Sequence, residues 1–393
     1  MNISLPDNPS DGGRKRNHFL DRNKPMFIDP QEEKILHEFD KELHRYPAFF
    51  NLLKILNPVN IAEEYKTFIQ KKGDYNPQFR YNFPDQEALH FIQEYLQNMK
   101  NAYANQDFKS PIGQLLKEKI SEYEDKLALI KAYIQQDFAQ IALYNQKLFG
   151  EISQDYLQES KTMLENAQTI PVSQSPILSR EEVITYIRSY LDEHGFKKIK
   201  IQEETKMPYR FAVSYTSKDI ILRLGNFASL DKITVDAIIA HEVQTHIQRY
   251  SAGKQSGRLL LKYGTKGSSI DEEGLAVYHA IQVHTKQTPN YIHLTMYGKY
   301  LITQYASTHN FAQTAQYIHT LFPQKSLSAI CNGVLRCKMG IMNTASQVPG
   351  SSFNRDSIFL TGYHHIQEWI QHGGNIKELF AGKIKIDDIS VLD

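Results

Sequence analysis

Apolar positions recur at helical spacing through the first half of the chain and at strand spacing for a short stretch near its middle. Leu116, Ile120, Tyr123, Leu127, Ile130, Ile134 and Ile141 follow in steps of three or four residues or multiples of these, which predicts a long amphipathic helix closed by Gly150. Shorter helical patterns over 31–56, 60–71 and 86–100 are separated by Asn-Pro and Gly-Asp turns. Residues 169–178 mix proline and serine and mark a domain boundary; Ser179 with Glu182 then has capping-box spacing, and Gly195 closes the helix they open. From there the period is two. Residues 197–203, 210–215 and 219–224 read as strands, the last two joined as a hairpin across Thr216-Ser217-Lys218. Helical patterns resume at 233–250 and from 269, then at 294–307, 309–322, 325–340 and 355–371. The expected class is α+β, mostly α, with a small antiparallel sheet. A polar tail (1–25), an N-terminal helical region (26–172) and a second domain (173–393) are the expected divisions.

Composition narrows the function classes. The chain is 41% hydrophobic and 23% charged, ordinary for a globular protein, and its net charge of +1 gives nothing that would recruit nucleic acid or an anionic membrane. Cys331 and Cys337 are too few for a disulfide framework and point to a reducing, cytoplasmic setting. The first 25 residues, with Asp11-Gly12-Gly13 and Arg14-Lys15-Arg16, lack the apolar core of a signal peptide and read as a disordered tail. No apolar run approaches the length of a membrane span.

The chemistry concentrates in two stretches. Residues 233–250 place His241, Glu242 and His246 in one apolar helical run. Two imidazoles and a carboxylate this close suggest a metal site with a built-in base. The histidines are five apart, not four, so on an ideal helix their rings stand about 140° apart rather than about 40°. On that spacing alone they read as separate helix histidines; a shared ion requires a π-type bulge or an early helix end between Val243 and Ile247. The second stretch, 268–281, reverses the preference. Ser269 and Glu272 have capping-box spacing, with Glu272 expected to turn back on its own helix start. Glu273 shares the core-facing stripe of Ala276, Val277, Ala280 and Ile281, where a carboxylate needs a partner. A buried salt bridge would satisfy it, but service as a third zinc ligand accounts for Glu273, His241 and His246 together, one Zn2+ per chain.

His-Glu-x-x-x-His followed by Glu273-Gly274-Leu275-Ala276 resembles the DUF1704 family, bacterial members of which are named for a "QEGLA" motif and animal relatives of which are the microtubule-associated tyrosine carboxypeptidases. Asn57-Pro58-Val59-Asn60, Asn76–Tyr81 and Phe353–Gly362 are similar to flanking family elements; in the last, Arg355 stands for the family's lysine and Phe359 for its tyrosine. The resemblance implies a zinc-metallopeptidase-like catalytic domain, with His241, His246 and Glu273 as ligands and Glu242 as catalytic base. It implies the C-terminus of a peptide or protein as substrate and release of a terminal, by analogy aromatic, residue. Tyr363, one turn beyond Phe359, is the first candidate for oxyanion stabiliser, ahead of His279 and Tyr250. Asp236 or Asp271 would support the ligand histidines, with service as an N-terminal helix charge the alternative for each. Arg336 and Arg355 are the candidates for binding a terminal carboxylate, with structural ion pairs as the alternative for each. Two other readings stay open: an inactive helical interaction module of the same fold, and a zinc amidase with a different pocket. The oligomeric state is not legible.

Overall fold

The computed structural model describes residues 29–106, 108–166, 175–204, 210–216, 219–225, 227–283 and 291–392. The tail expected at 1–25, most of the boundary placed at 169–178 and residues 217–218 of the expected hairpin turn lie outside them. The described residues are mostly helical with two small sheets, an α+β architecture, and no helix among them is long and apolar enough to cross a membrane.

The N-terminal part runs through α1 (Pro30–Leu43), α2 (Leu52–Ile55), α3 (Ile61–Gln70), α4 (Gln86–Ala104), α5 (Pro111–Gln135), α6 (Phe138–Phe149) and α7 (Gln154–Asn166). The single long helix expected here is two. Gln136 takes a left-handed conformation (φ 53°), and Asp137 starts α6 by accepting from the amide of Gln140. The corner is held from outside: Gln136 donates to the carbonyl of Gly340 and accepts from the amide of Met342. Ile134 and Ile141 are seven residues apart, two helical turns, so the apolar pattern stays in phase across the break and conceals it. Gly150 (φ 85°) ends α6. These helices bury Leu36, Leu116, Ile130 and Tyr133 in a core completed by Leu260, Met339, Phe353 and Ile358 from later in the chain.

Next come β1 (Ile177–Ser179), α8 (Arg180–Glu193), β2 (Ile199–Glu203), β3 (Phe211–Tyr215), β4 (Ile220–Leu224) and β5 (Ser229–Asp231). The capping box of Ser179 and Glu182 opens α8, and Gly195 (φ 80°) follows its end. The sheet corrects the expectation of an antiparallel one. Its order is β2-β4-β3: β3 pairs antiparallel with β4, as a hairpin should, but β2 pairs parallel with the other side of β4. Strand alternation reports which residues pair with a face, not which neighbour a strand finds, so the direction of β2 was not encoded in its period. The consequence is that β3 is an edge strand. Strands β1 and β5 form a separate antiparallel pair, each three residues long and too short to show a period.

The rest is helical: α9 (Lys232–His241), a π-helical turn (Glu242–Ile247) and α10 (Gln248–Gln255) in unbroken succession, then α11 (Leu259–Tyr263), α12 (Ser268–Val283), α13 (Tyr291–Ala306), α14 (Phe311–Leu321), α15 (Leu327–Lys338), α16 (Ile358–Gln371) and α17 (Ile389–Leu392). Val235, Ile239, Val243 and Ile247 lie with Val183, Ile187, Leu222 and Leu224 in one buried cluster, which fixes the π turn against the sheet and α8. Helix α12 crosses α16 at two glycines. A Cβ on Gly274 would lie 2.0 Å from the carbonyl carbon of Gly362, and one on Gly362 would lie 2.0 Å from the carbonyl oxygen of Ile270. Only glycine permits that approach.

Candidate metal centre and cleft

The five-residue step between the histidines is absorbed by the π turn at Glu242–Ile247. Within it the Thr245 hydroxyl donates to the carbonyl of Ala240 at 3.0 Å. The widened turn brings both rings to one side, their centroids 5.0 Å apart and inclined at 75°. Nε2 of His241 and Nε2 of His246 each lie 3.7 Å from Oε2 of Glu273, delivered by α12. The three ligand atoms fall within 4.8 Å of one another, and among the described residues this is the one group placed to hold a metal. Tetrahedral zinc with bonds of about 2.0–2.1 Å needs donors about 3.3 Å apart. The set fits after a small inward shift.

Two of the three candidate donors are held by further contacts. Nδ1 of His246 meets Oε1 of Glu272 at 2.8 Å, and Nζ of Lys383 meets the same oxygen at 2.9 Å. Glu272 is therefore not the capping residue its spacing suggested; it orients a ligand ring. Lys383 lies on a segment near the chain end that Arg249 grips: this fully buried guanidinium donates to the carbonyls of Leu379, Gly382 and Ile384. The second oxygen of Glu273 accepts from Arg355 at 2.7 Å. Asp236 and Asp271 do not support the histidines. Asp236 accepts from Tyr186 and Lys232, and Asp271 pairs with His365 and the amide of Ile386.

Electrostatics leave most of this site in the form a cation needs. Burial pushes His241 down to about 3, so its ring is neutral. Burial opposes ionisation of Glu273, but the Arg355 charge and the histidines outweigh it and hold the carboxyl below its usual range. Glu272 is likewise held low, with Lys383 and His246 overcoming burial. His246 is lifted despite burial, by its hydrogen bond to Glu272 and by the surrounding carboxylates, so a cation here would compete with a proton for that ring. Burial raises Glu242, beside the ligands but not among them, to about 7.

The centre opens onto a cleft of about 1200 Å³. It is lined by His241, Glu242 and His246, by residues 211–216 along and just after β3, and by Pro47, Asn51, Lys54, Lys119 and Lys126 of the N-terminal part. Glu242, Arg336 and Arg355 face it, and so does Lys299 of α13, which the sequence reading missed. A lone lysine in the apolar run of α13, beside the buried Met296, Tyr297, Tyr300 and Leu301, was the available signal. Tyr363 is not brought to the cleft. It is buried among Val277, Tyr297, Tyr300 and Leu360, and its hydroxyl accepts from Gln367. One helical turn from Phe359 placed it on the α16 face that packs into the core, which rules out the covering role expected of it. His279 also points elsewhere, contacting Thr245 and stacking on Phe380; of the three oxyanion candidates, Tyr250 lines the cleft. Arg336 is paired with Asp356 and Arg355 with Glu273, the structural ion pairs weighed for each of them, although both line the cleft.

Residues 66–393 match the family model described as microtubule-associated tyrosine carboxypeptidase. The chain belongs to that family. Membership makes this family member peptidase-like, of carboxypeptidase type, with a peptide or protein as its substrate class. No curated protein matches it. Among solved structures, one described as a lipoprotein candidate from Colwellia psychrerythraea is 12% identical, with a TM-score of 0.45 over 94% of this family member and 76% of that chain.

Proposed function

We propose that the protein is a zinc-dependent carboxypeptidase that releases the C-terminal residue of a peptide or protein. The observation that carries the reading is the convergence of His241, His246 and Glu273 on one point beside Glu242, at the floor of an open cleft. Bound by those three donors, zinc supplies Lewis-acid activation of water and of the scissile carbonyl. The chain's own residues do the rest. Glu242, buried and poised near neutrality, takes the proton of the attacking water and hands it to the departing amine. Glu272 fixes the ring of His246, and Arg355 fixes the carboxylate of Glu273. The unpaired edge of β3 runs along the cleft, where an extended substrate can add as a further strand. The family name makes a C-terminal tyrosine the first substrate to try. An inactive module would show a missing ligand or a filled cleft, and neither is present among the described residues.

The test is metal content and turnover in parallel. Purified protein is expected to hold about one zinc per chain, with His246→Ala losing it. Glu242→Gln should keep the metal and lose at least about a hundredfold in kcat on peptides ending in a free aromatic residue. A Glu242→Gln variant that retains both zinc and full turnover removes the base assignment.

A further inference from the structure

Three cations, Lys299, Arg336 and Arg355, share the end of the cleft next to Glu273, and two of them are already in use. Arg336 makes a two-pronged bond to Asp356, and Arg355 holds Glu273. Lys299 makes no hydrogen bond or ion pair with any described residue. Its ammonium rests 3.6 Å from the centroid of Phe359, a cation–π contact that aims the charge without neutralising it. Burial lowers it to about 8 and outweighs the longer-range attraction of Asp356 and Glu273, carboxylates that Arg336 and Arg355 already hold. A half-enclosed, unpaired ammonium facing a substrate cleft is what an incoming anion requires.

We infer that Lys299 is the anchor for the terminal α-carboxylate of the substrate, the contact that makes this cleft an exopeptidase site. The assignment rests on the peptidase reading and goes beyond it by naming the residue and the ligand group. Distances agree. The ring of Phe359 lies 6.5 Å from that of His241, so the two contacts together keep the ammonium within about 10 Å of a metal-facing imidazole. One residue spans about 3.5 Å and a hydrogen bond about 2.9 Å, which together cover about 6.4 Å of a separation of at most about 10 Å, so a carboxylate one residue beyond a carbonyl at the triad is carried toward Lys299. The ammonium makes no ion pair with Glu273, unlike Arg355, and its charge acts on His241 and Glu242 only at longer range. A peptide continuing past the cleaved bond would bury Lys299 without an anion, and that disfavours internal cleavage.

The experiment uses the zinc-loaded full chain and two peptides that differ in ending as free acid or amide. Wild type is expected to favour the acid about 10- to 100-fold in kcat/KM, the worth of one charge-assisted contact. Lys299→Met should bring that ratio to within about twofold, and Lys299→Arg should restore part of it. Zinc content and circular dichroism confirm that each variant is folded. Calorimetry with N-acetyl-tyrosine and its amide reads the same contact without turnover: wild type should bind the acid more tightly, and Lys299→Met should lose the difference. A preference that survives in Lys299→Met, or its absence from wild type, overturns the assignment. Should neither peptide be cleaved, the peptidase reading fails, and the calorimetric difference still decides the role of Lys299.

Discussion

Glu242 is the residue whose chemistry depends most on its surroundings. Burial raises its carboxyl from the ordinary 4.5 to about 7, against the lowering effect of His246 and Lys299. The base must be deprotonated to work, so activity is lost as pH falls through its folded value. The acid limb of kcat/KM for the zinc-loaded protein is therefore expected between pH 4.5 and about 7. A limb that remains in place in Glu242→Asp and Glu242→Gln would assign it to another group. Four residues at this scale, His241, Glu242, His246 and Glu273, were legible because rare polar types stood in an otherwise apolar run. The cleft cations were less so. Sequence identifies an arginine but not its partner, and Asp356 and Glu273 had claimed the two that looked available.

Among the elements, the π turn and the glycine crossing act together. The first turns two rings to one side; the second sets how far α12 stands from α16, and so where Glu273 arrives. Gly274→Ala would push a methyl group into the Gly362 backbone, where no side chain can yield. The expected result is a loss of about 3 kcal/mol of stability, with weakened zinc binding, measurable by denaturant titration and chelator competition. An unperturbed variant would mean that the helices can separate freely. The need for a distorted turn followed from the histidine spacing once Glu273 had pointed to a shared ion, since an ideal helix cannot bring both rings to one site. The glycine crossing left no signal, because a mid-helix glycine in sequence says nothing about which backbone approaches it. The mixed sheet and the break at Gln136 stayed hidden for the same reason, as both are fixed by partners distant along the chain.

For the molecule as a whole, the cleft is assembled from remote parts of the chain. Pro47, Asn51 and Lys54 precede the family-matched residues, so family likeness carries no information about them, whereas Lys119 and Lys126 beside them fall within the match. Lys383 reaches the ligand set from the other end, through Glu272. Lys383→Ala is expected to weaken zinc about tenfold, the usual effect of removing support behind a ligand histidine. Competition against a chromogenic chelator measures it, and unaltered affinity would show that Glu272 needs no such help. The grip of Arg249 on the carbonyls of Leu379, Gly382 and Ile384 gives this arrangement a temporal side. A ribosome exposes the His-Glu-x-x-x-His helix well before it releases those three residues. Once Glu273 has also emerged, the nascent polypeptide holds the three candidate donors without the brace behind them, so on the zinc reading tight metal capture is expected only after residues 379–384 have followed.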